Sequence, residues 1–106
     1  MRRIAMSKQL KITVLKRDLY QDLVDEYAAD KTTAHCSLFE DGQVFILDSL
    51  DMPEKFCSWA WADIHRDVVS VFQGASFPWI NQENTIISCC TDGFRPVTFK
   101  IERIGK

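Results

Sequence analysis

Thr85-Ile86-Ile87-Ser88-Cys89-Cys90-Thr91-Asp92-Gly93-Phe94-Arg95-Pro96-Val97-Thr98-Phe99-Lys100-Ile101-Glu102-Arg103-Ile104 is the stretch on which the fold turns. Val97, Phe99 and Ile101 alternate with Thr98, Lys100 and Glu102, the period of two that a strand covered on one face requires. Thr85 to Thr91 is a second strand-forming run, and Asp92-Gly93 between the two has turn chemistry, so the stretch reads as a hairpin. Pro96 has no N–H to give to a ladder, so its strand is expected to start at an edge or to direct that position outward.

Earlier in the chain, Leu10-Lys11-Ile12-Thr13-Val14 alternates in the same way and reads as an N-terminal strand, with a frayed tail expected over 1–8. Asp18 with Gln21 resembles a capping box. Leu19, Leu23 and Tyr27 then mark the apolar face of a short helix near 18–29. Ser37 to Asp48 reads as another hairpin, with Asp41-Gly42 supplying the positive φ of a tight turn and 44–47 forming a mostly buried strand. Asp51 with Glu54, and Pro53 in the first turn, predict a helix from about 53 to 73 that stops at Gly74. The apolar loop Phe77-Pro78-Trp79-Ile80 must cover something. The expectation is a single α+β domain spanning 1–106: a mostly antiparallel sheet of two hairpins plus the N-terminal strand, with two helices packed on one face.

At 106 residues, 46% of them hydrophobic, such a domain buries roughly two-thirds of its unfolded surface and needs neither a disulfide nor a metal merely to fold. The 13 basic and 15 acidic residues are mixed along the chain. No basic stripe exists to track a phosphate backbone, so no nucleic-acid partner is expected. No apolar run approaches the ~20 residues of a membrane span, and Ile4-Ala5-Met6 is too short for a signal-peptide core. The cytoplasm is the expected compartment, where thiols stay reduced, ligate metal or do chemistry.

The chemistry-bearing residues are Cys36, Cys57, Cys89 and Cys90. They include no CxxC pair and no zinc-finger spacing, so metal binding depends on whether the fold gathers them. Neighbours on a regular strand point to opposite faces. Cys90 is therefore expected on the core side with Ile86, Ser88, Val97 and Phe99, and Cys89 on the other side, unless a bulge re-aims one. A two-residue turn at Asp92-Gly93 places Arg95 opposite Cys90, where a guanidinium favours thiolate. The bland alternative is a core Cys90 with Arg95 reaching Asp92 or solvent. Cys57 stands in the first turns of the second helix, where partial positive charge also favours thiolate; its alternative is filler in a stripe with Trp61, Ile64, His65 and Val68. His35 and His65 read as surface histidines. Asp63 and Asp67 read as a solvated face. Trp59 and Trp61, two apart on a helix, face different sides, so one needs a partner such as the 77–80 loop or another subunit.

The stretches Met52-Pro53-Glu54-Lys55-Phe56-Cys57-Ser58-Trp59-Ala60-Trp61-Ala62-Asp63-Ile64 and Cys89 to Arg103 resemble the signatures of a family of small, uncharacterised prokaryotic proteins of about this length. The similarity extends to the lysine-rich first strand, Cys36 and Phe39-Glu40-Asp41-Gly42-Gln43, and covers nearly the whole chain. The resemblance implies kinship and points at Cys36, Cys57, Cys89, Cys90, Asp92 and Arg95 without naming a reaction.

Three functions follow as expectations. The foremost is a non-catalytic metal-binding module holding zinc or an iron–sulfur cluster on Cys36, Cys57 and one of Cys89 and Cys90, since thiolates suit both. The others are an accessory subunit docking a protein partner, or a homo-oligomer, through the Trp-rich helix, and a thiol-dependent redox or sulfur-handling enzyme using Cys57 or Cys90 with Arg95.

Overall fold

The computed structural model describes residues 8–105. The expected frayed tail lies outside them except for Lys8, which opens the first strand. The elements are β1 (Lys8–Arg17), α1 (Gln21–Tyr27), β2 (Val44–Leu47), α2 (Ser58–Phe72), β3 (Thr85–Cys89) and β4 (Val97–Gly105). The four strands form one antiparallel sheet in the order β2-β1-β4-β3. The fold is α+β, as the alternation predicts.

Leu10, Ile12 and Val14 of β1, Phe45 and Leu47 of β2, Ile86 of β3 and Val97, Phe99 and Ile101 of β4 are all buried. They face Ala60, Ile64, Val68 and Val71 of α2, which repeat every three or four residues as one helix face does. Among the described elements, α2 alone packs across the sheet. α1 is a short segment whose start is tied to the β3–β4 connection by the Tyr20 N–H donating to the Phe94 carbonyl.

Several local expectations give way to longer-range ones. No hairpin forms over 37–48. Val44–Leu47 pairs instead with β1, Leu10 opposite Leu47 and Thr13 opposite Val44, while Phe39 leaves the ladder for the core. β2 is an edge strand covered on one side, so Val44 and Ile46 are exposed where a mostly buried strand was expected. α1 starts at Gln21 with no side-chain cap, because the Asp18 N–H is engaged by the Pro96 carbonyl. Val24 and Ala28 are buried in place of Leu23 and Tyr27. α2 starts five residues after Pro53, because Lys55 sits at φ +67°, which breaks any helix across 53–57. It ends before Gly74, at φ +103°, as anticipated.

β1 carries one irregularity. Val14 pairs with Phe99, but Lys16 pairs with Thr98 and Arg17 with Val97, so Leu15 is the extra residue of a bulge. Without it Lys16 would follow Leu10, Ile12 and Val14 onto the core face. With it, Arg17 shares that face with Val97.

Candidate functional site: a thiol-lined pocket

In an antiparallel sheet the end of β1, the start of β2, the end of β3 and the start of β4 lie along one edge. The N-terminus of α2 comes to the same edge. A cavity of about 130 Å³ opens there. Cys36 enters it from the α1–β2 loop, Cys57 from the start of α2 and Cys90 from the end of β3. Asp92 and Arg95 of the β3–β4 connection complete its polar wall, and Leu38, Phe39 and Trp59 supply apolar wall. All four cysteines are unpaired thiols.

Each thiol is placed by a different device. Cys57 is the N-cap of α2, and its Sγ accepts the Ala60 N–H at 3.5 Å. Sulfur here does the work of the hydroxyl or carboxylate oxygen usual at that position. Cys90 donates its N–H to the Val97 carbonyl (3.0 Å), and its Sγ accepts the Val97 N–H at 3.3 Å. The side chain thus takes the hydrogen bond a strand carbonyl would accept, and Cys90 is 8% exposed. Cys36 lies on a loop held by Arg17, whose Nη1 donates to the Cys36 and Phe39 carbonyls (2.8 and 3.1 Å) and whose Nε reaches Asp41 (3.0 Å). Beneath that loop Phe39, Phe45, Phe56 and Phe99 form edge-to-face and tilted contacts with centroids 4.9–6.1 Å apart, a geometry favoured by their quadrupoles.

The turn between β3 and β4 differs from the expected two-residue one. Ser88 pairs with Phe99 and Cys89 with Thr98, which leaves 91–96 as a six-residue connection and puts Val97, rather than Arg95, opposite Cys90. The shift of register is by two residues, so the faces survive: Cys90 is buried, while Cys89 and Ile87 are exposed on the far side. No bulge re-aims Cys89, and it does not line the pocket.

Arg95 joins Asp92 instead, Nε to Oδ2 at 3.4 Å. The Oδ1 of Asp92 accepts the Phe94 and Arg95 N–H groups at 2.9 and 3.0 Å. Partial burial pushes the Asp92 carboxyl up, but the two N–H groups and the neighbouring guanidinium outweigh it and hold the carboxyl below its ordinary value.

Two carboxylates expected on a solvated face are structural ties. Asp63 Oδ2 accepts the N–H and hydroxyl of Thr91 at 2.8 and 2.9 Å, and Asp67 Oδ2 accepts the Ser88 hydroxyl at 2.7 Å. Together they fasten α2 to β3 and its exit. Trp61 packs on Phe56, whereas Trp59, 66% exposed, stands at the pocket rim with its Nε1 donating to Thr91 Oγ1 at 3.4 Å. His35 and His65 are exposed. In the 77–80 loop Phe77 packs on the core, while Trp79 and Ile80 line a shallow depression with Leu15 and Ile87 on the face away from α2.

Cys36, Cys57, Cys89, Cys90, Asp92 and Arg95 stand out in the sequence, and all but Cys89 line the pocket. Arg17 and Leu38 carry no local mark and Asp63 reads only as a solvated carboxylate, because their partners lie 19 to 28 residues away or across the cavity.

Among the described residues, no three His, Cys, Asp or Glu side chains converge on one point closely enough to hold a single metal ion. No helix among them is long and apolar enough to cross a membrane. Neither a protein-family model, nor a curated protein, nor a solved structure matches the chain.

Proposed function

We propose that the protein is a cysteine-based metal-binding module without catalysis of its own, its metal carried by Cys36, Cys57 and Cys90. The observation that supports this reading is that three thiols from distant parts of the chain line one cavity. Two of them already accept a backbone N–H, the hydrogen bond that steadies a metal-bound thiolate. The reading also gives the stretches Met52 to Ile64 and Cys89 to Arg103 a common purpose, since they supply Cys57, Cys90 and Asp92. Elemental analysis of anaerobically purified protein tests it. Metal should be present at near stoichiometry, retained in Cys89→Ser and lost in Cys36→Ser, Cys57→Ser and Cys90→Ser. A metal-free wild type that also takes up none when metal is supplied sinks the proposal.

Trp59 supports a second reading, an accessory subunit docking on a protein partner or a second copy, because a large aromatic exposed beside a pocket is the usual anchor of an interface. Native mass spectrometry of wild type and Trp59→Ala would register the loss of a complex. A thiol enzyme using Cys57 or Cys90 remains the third reading. It requires rapid alkylation of one pocket cysteine in the metal-free protein, with the other three slow.

A further inference from the structure

The pocket also bears on which kind of metal centre it suits, an inference that rests on the metal-binding reading above. A structural zinc site draws its donors to ~2.0–2.3 Å from one point. Here the donors do not converge in that way, yet Cys36, Cys57, Cys90 and Asp92 all border the same cavity of about 130 Å³. Donors standing around a void, rather than focused on a point, match a centre that brings its own bulk. We propose that the pocket holds an iron–sulfur cluster on the thiolates of Cys36, Cys57 and Cys90, with the Asp92 carboxylate facing its remaining, non-cysteine iron.

Four further features of the site agree with a cluster. Iron and inorganic sulfide fill the centre of such a group, and thiolates bind only at its corners, so the sulfurs need not approach one another. The Val97 and Ala60 N–H groups already directed at Cys90 and Cys57 are the kind of hydrogen bonds that tune a cluster's potential. Leu38, Phe39 and Trp59 form apolar wall around the cavity. The summed negative charge of three thiolates and a carboxylate is offset by Arg95 and by the N-terminus of α2. At Asp92, Oδ1 is held by two backbone N–H groups, while Oδ2 has one long contact, to Arg95. That contact is easily exchanged for a metal. Cys89 has no part in the centre, being exposed on the opposite face.

The test is anaerobic reconstitution of the full chain with ferrous iron and sulfide, in parallel with zinc alone, read by iron, acid-labile sulfide and zinc content and by visible absorption. Iron and sulfide should bind in matching amounts, with more than one iron per chain, together with the broad visible bands of thiolate-to-iron charge transfer. Cys89→Ser should match wild type, whereas Cys36→Ser, Cys57→Ser and Cys90→Ser should lose the bands. Far-UV circular dichroism of each metal-free variant separates a lost ligand from a lost fold, and Cys57→Ser, with a favoured N-cap residue, is the variant that should stay folded. A folded Cys57→Ser that keeps the full cluster overturns the assignment. Asp92→Ala should change the electron paramagnetic resonance signal of the reduced cluster, and an unchanged signal removes Asp92 from it. One zinc per chain without sulfide, lost in the same three cysteine variants, overturns the cluster and leaves the metal-binding module standing. Uptake of no metal in either arm overturns both.

Discussion

At Cys90 a side chain substitutes for the backbone. Val97 is 1% exposed, and its N–H has the Cys90 sulfur as acceptor. Cys90→Ala would leave a buried donor unsatisfied, a loss of about 1–3 kcal/mol, whereas Cys90→Ser keeps an acceptor at that place. Urea unfolding of the two metal-free variants should therefore rank Ser above Ala in stability. Asp92 makes a pH-dependent contribution. Its folded carboxyl is held below the unfolded value, so the stability it confers is fully present above about pH 4, the ordinary range of an aspartate. That stability is lost as pH falls further, through the lower folded value. Metal-free Asp92→Asn should be less stable than wild type at neutral pH, and the gap should close as the solution is acidified below that range. A gap constant with pH would show that the carboxylate charge is not its source, since the asparagine oxygen can still accept the Phe94 and Arg95 N–H groups. Phe99 is the largest of the fully buried side chains and is in contact with both Phe39 and Phe56. Phe99→Ala should lose about 4 kcal/mol by denaturant midpoint.

Among the elements, α2 and the loop before β2 carry the most specific consequences. Cys57 caps α2 with sulfur, a weak acceptor, and serine is among the best N-cap residues. Thermal unfolding of metal-free Cys57→Ser should match or exceed that of wild type, so stability and metal content should move in opposite directions. Gly42, at φ +83° with nothing within 4 Å of an added Cβ, continues the pairing of the 36–43 loop with β1 through its N–H to the Val14 carbonyl at 2.7 Å. Gly42→Ala should cost roughly 1–2 kcal/mol, all of it backbone conformation since no contact is crowded. Of the three glycines the sequence marks as structural, Gly42 and Gly74 adopt positive φ. Gly93 does not, because Asp92 holds the connection through side-chain acceptance of the Phe94 and Arg95 N–H groups instead of a two-residue turn.

Across the whole molecule, the bulge at Leu15 governs the site. It turns Arg17 onto the face of Val97, from where the guanidinium holds the Cys36 and Phe39 carbonyls. Arg17→Ala should lose about 2 kcal/mol of stability from these charged hydrogen bonds, and hydrogen exchange should quicken over 36–43 while β3 and β4 stay protected. If protection falls evenly across the sheet, Arg17 supports the fold at large rather than the cysteine loop.

The sequence alone determined whatever repeats on the scale of a few residues. The period-two alternation of β1 and β4 and the apolar spacing of α2 define an α+β domain. The opposite facing of Cys89 and Cys90 follows from the same pleat, and survived a two-residue error of register because side-chain direction repeats every two residues. Tertiary structure decided the partners: β2 joined to β1 rather than folded back on 37–39, α2 delayed to Ser58, and Asp63 and Arg17 drawn to groups 19 to 28 residues away. The reason is physical. Pleat and helical pitch are properties of neighbouring residues, whereas register, bulge and loop closure are settled by which distant backbone and side-chain groups satisfy one another once the core has closed, and the placement of Cys36, Cys57 and Cys90 around one cavity belongs to that second kind.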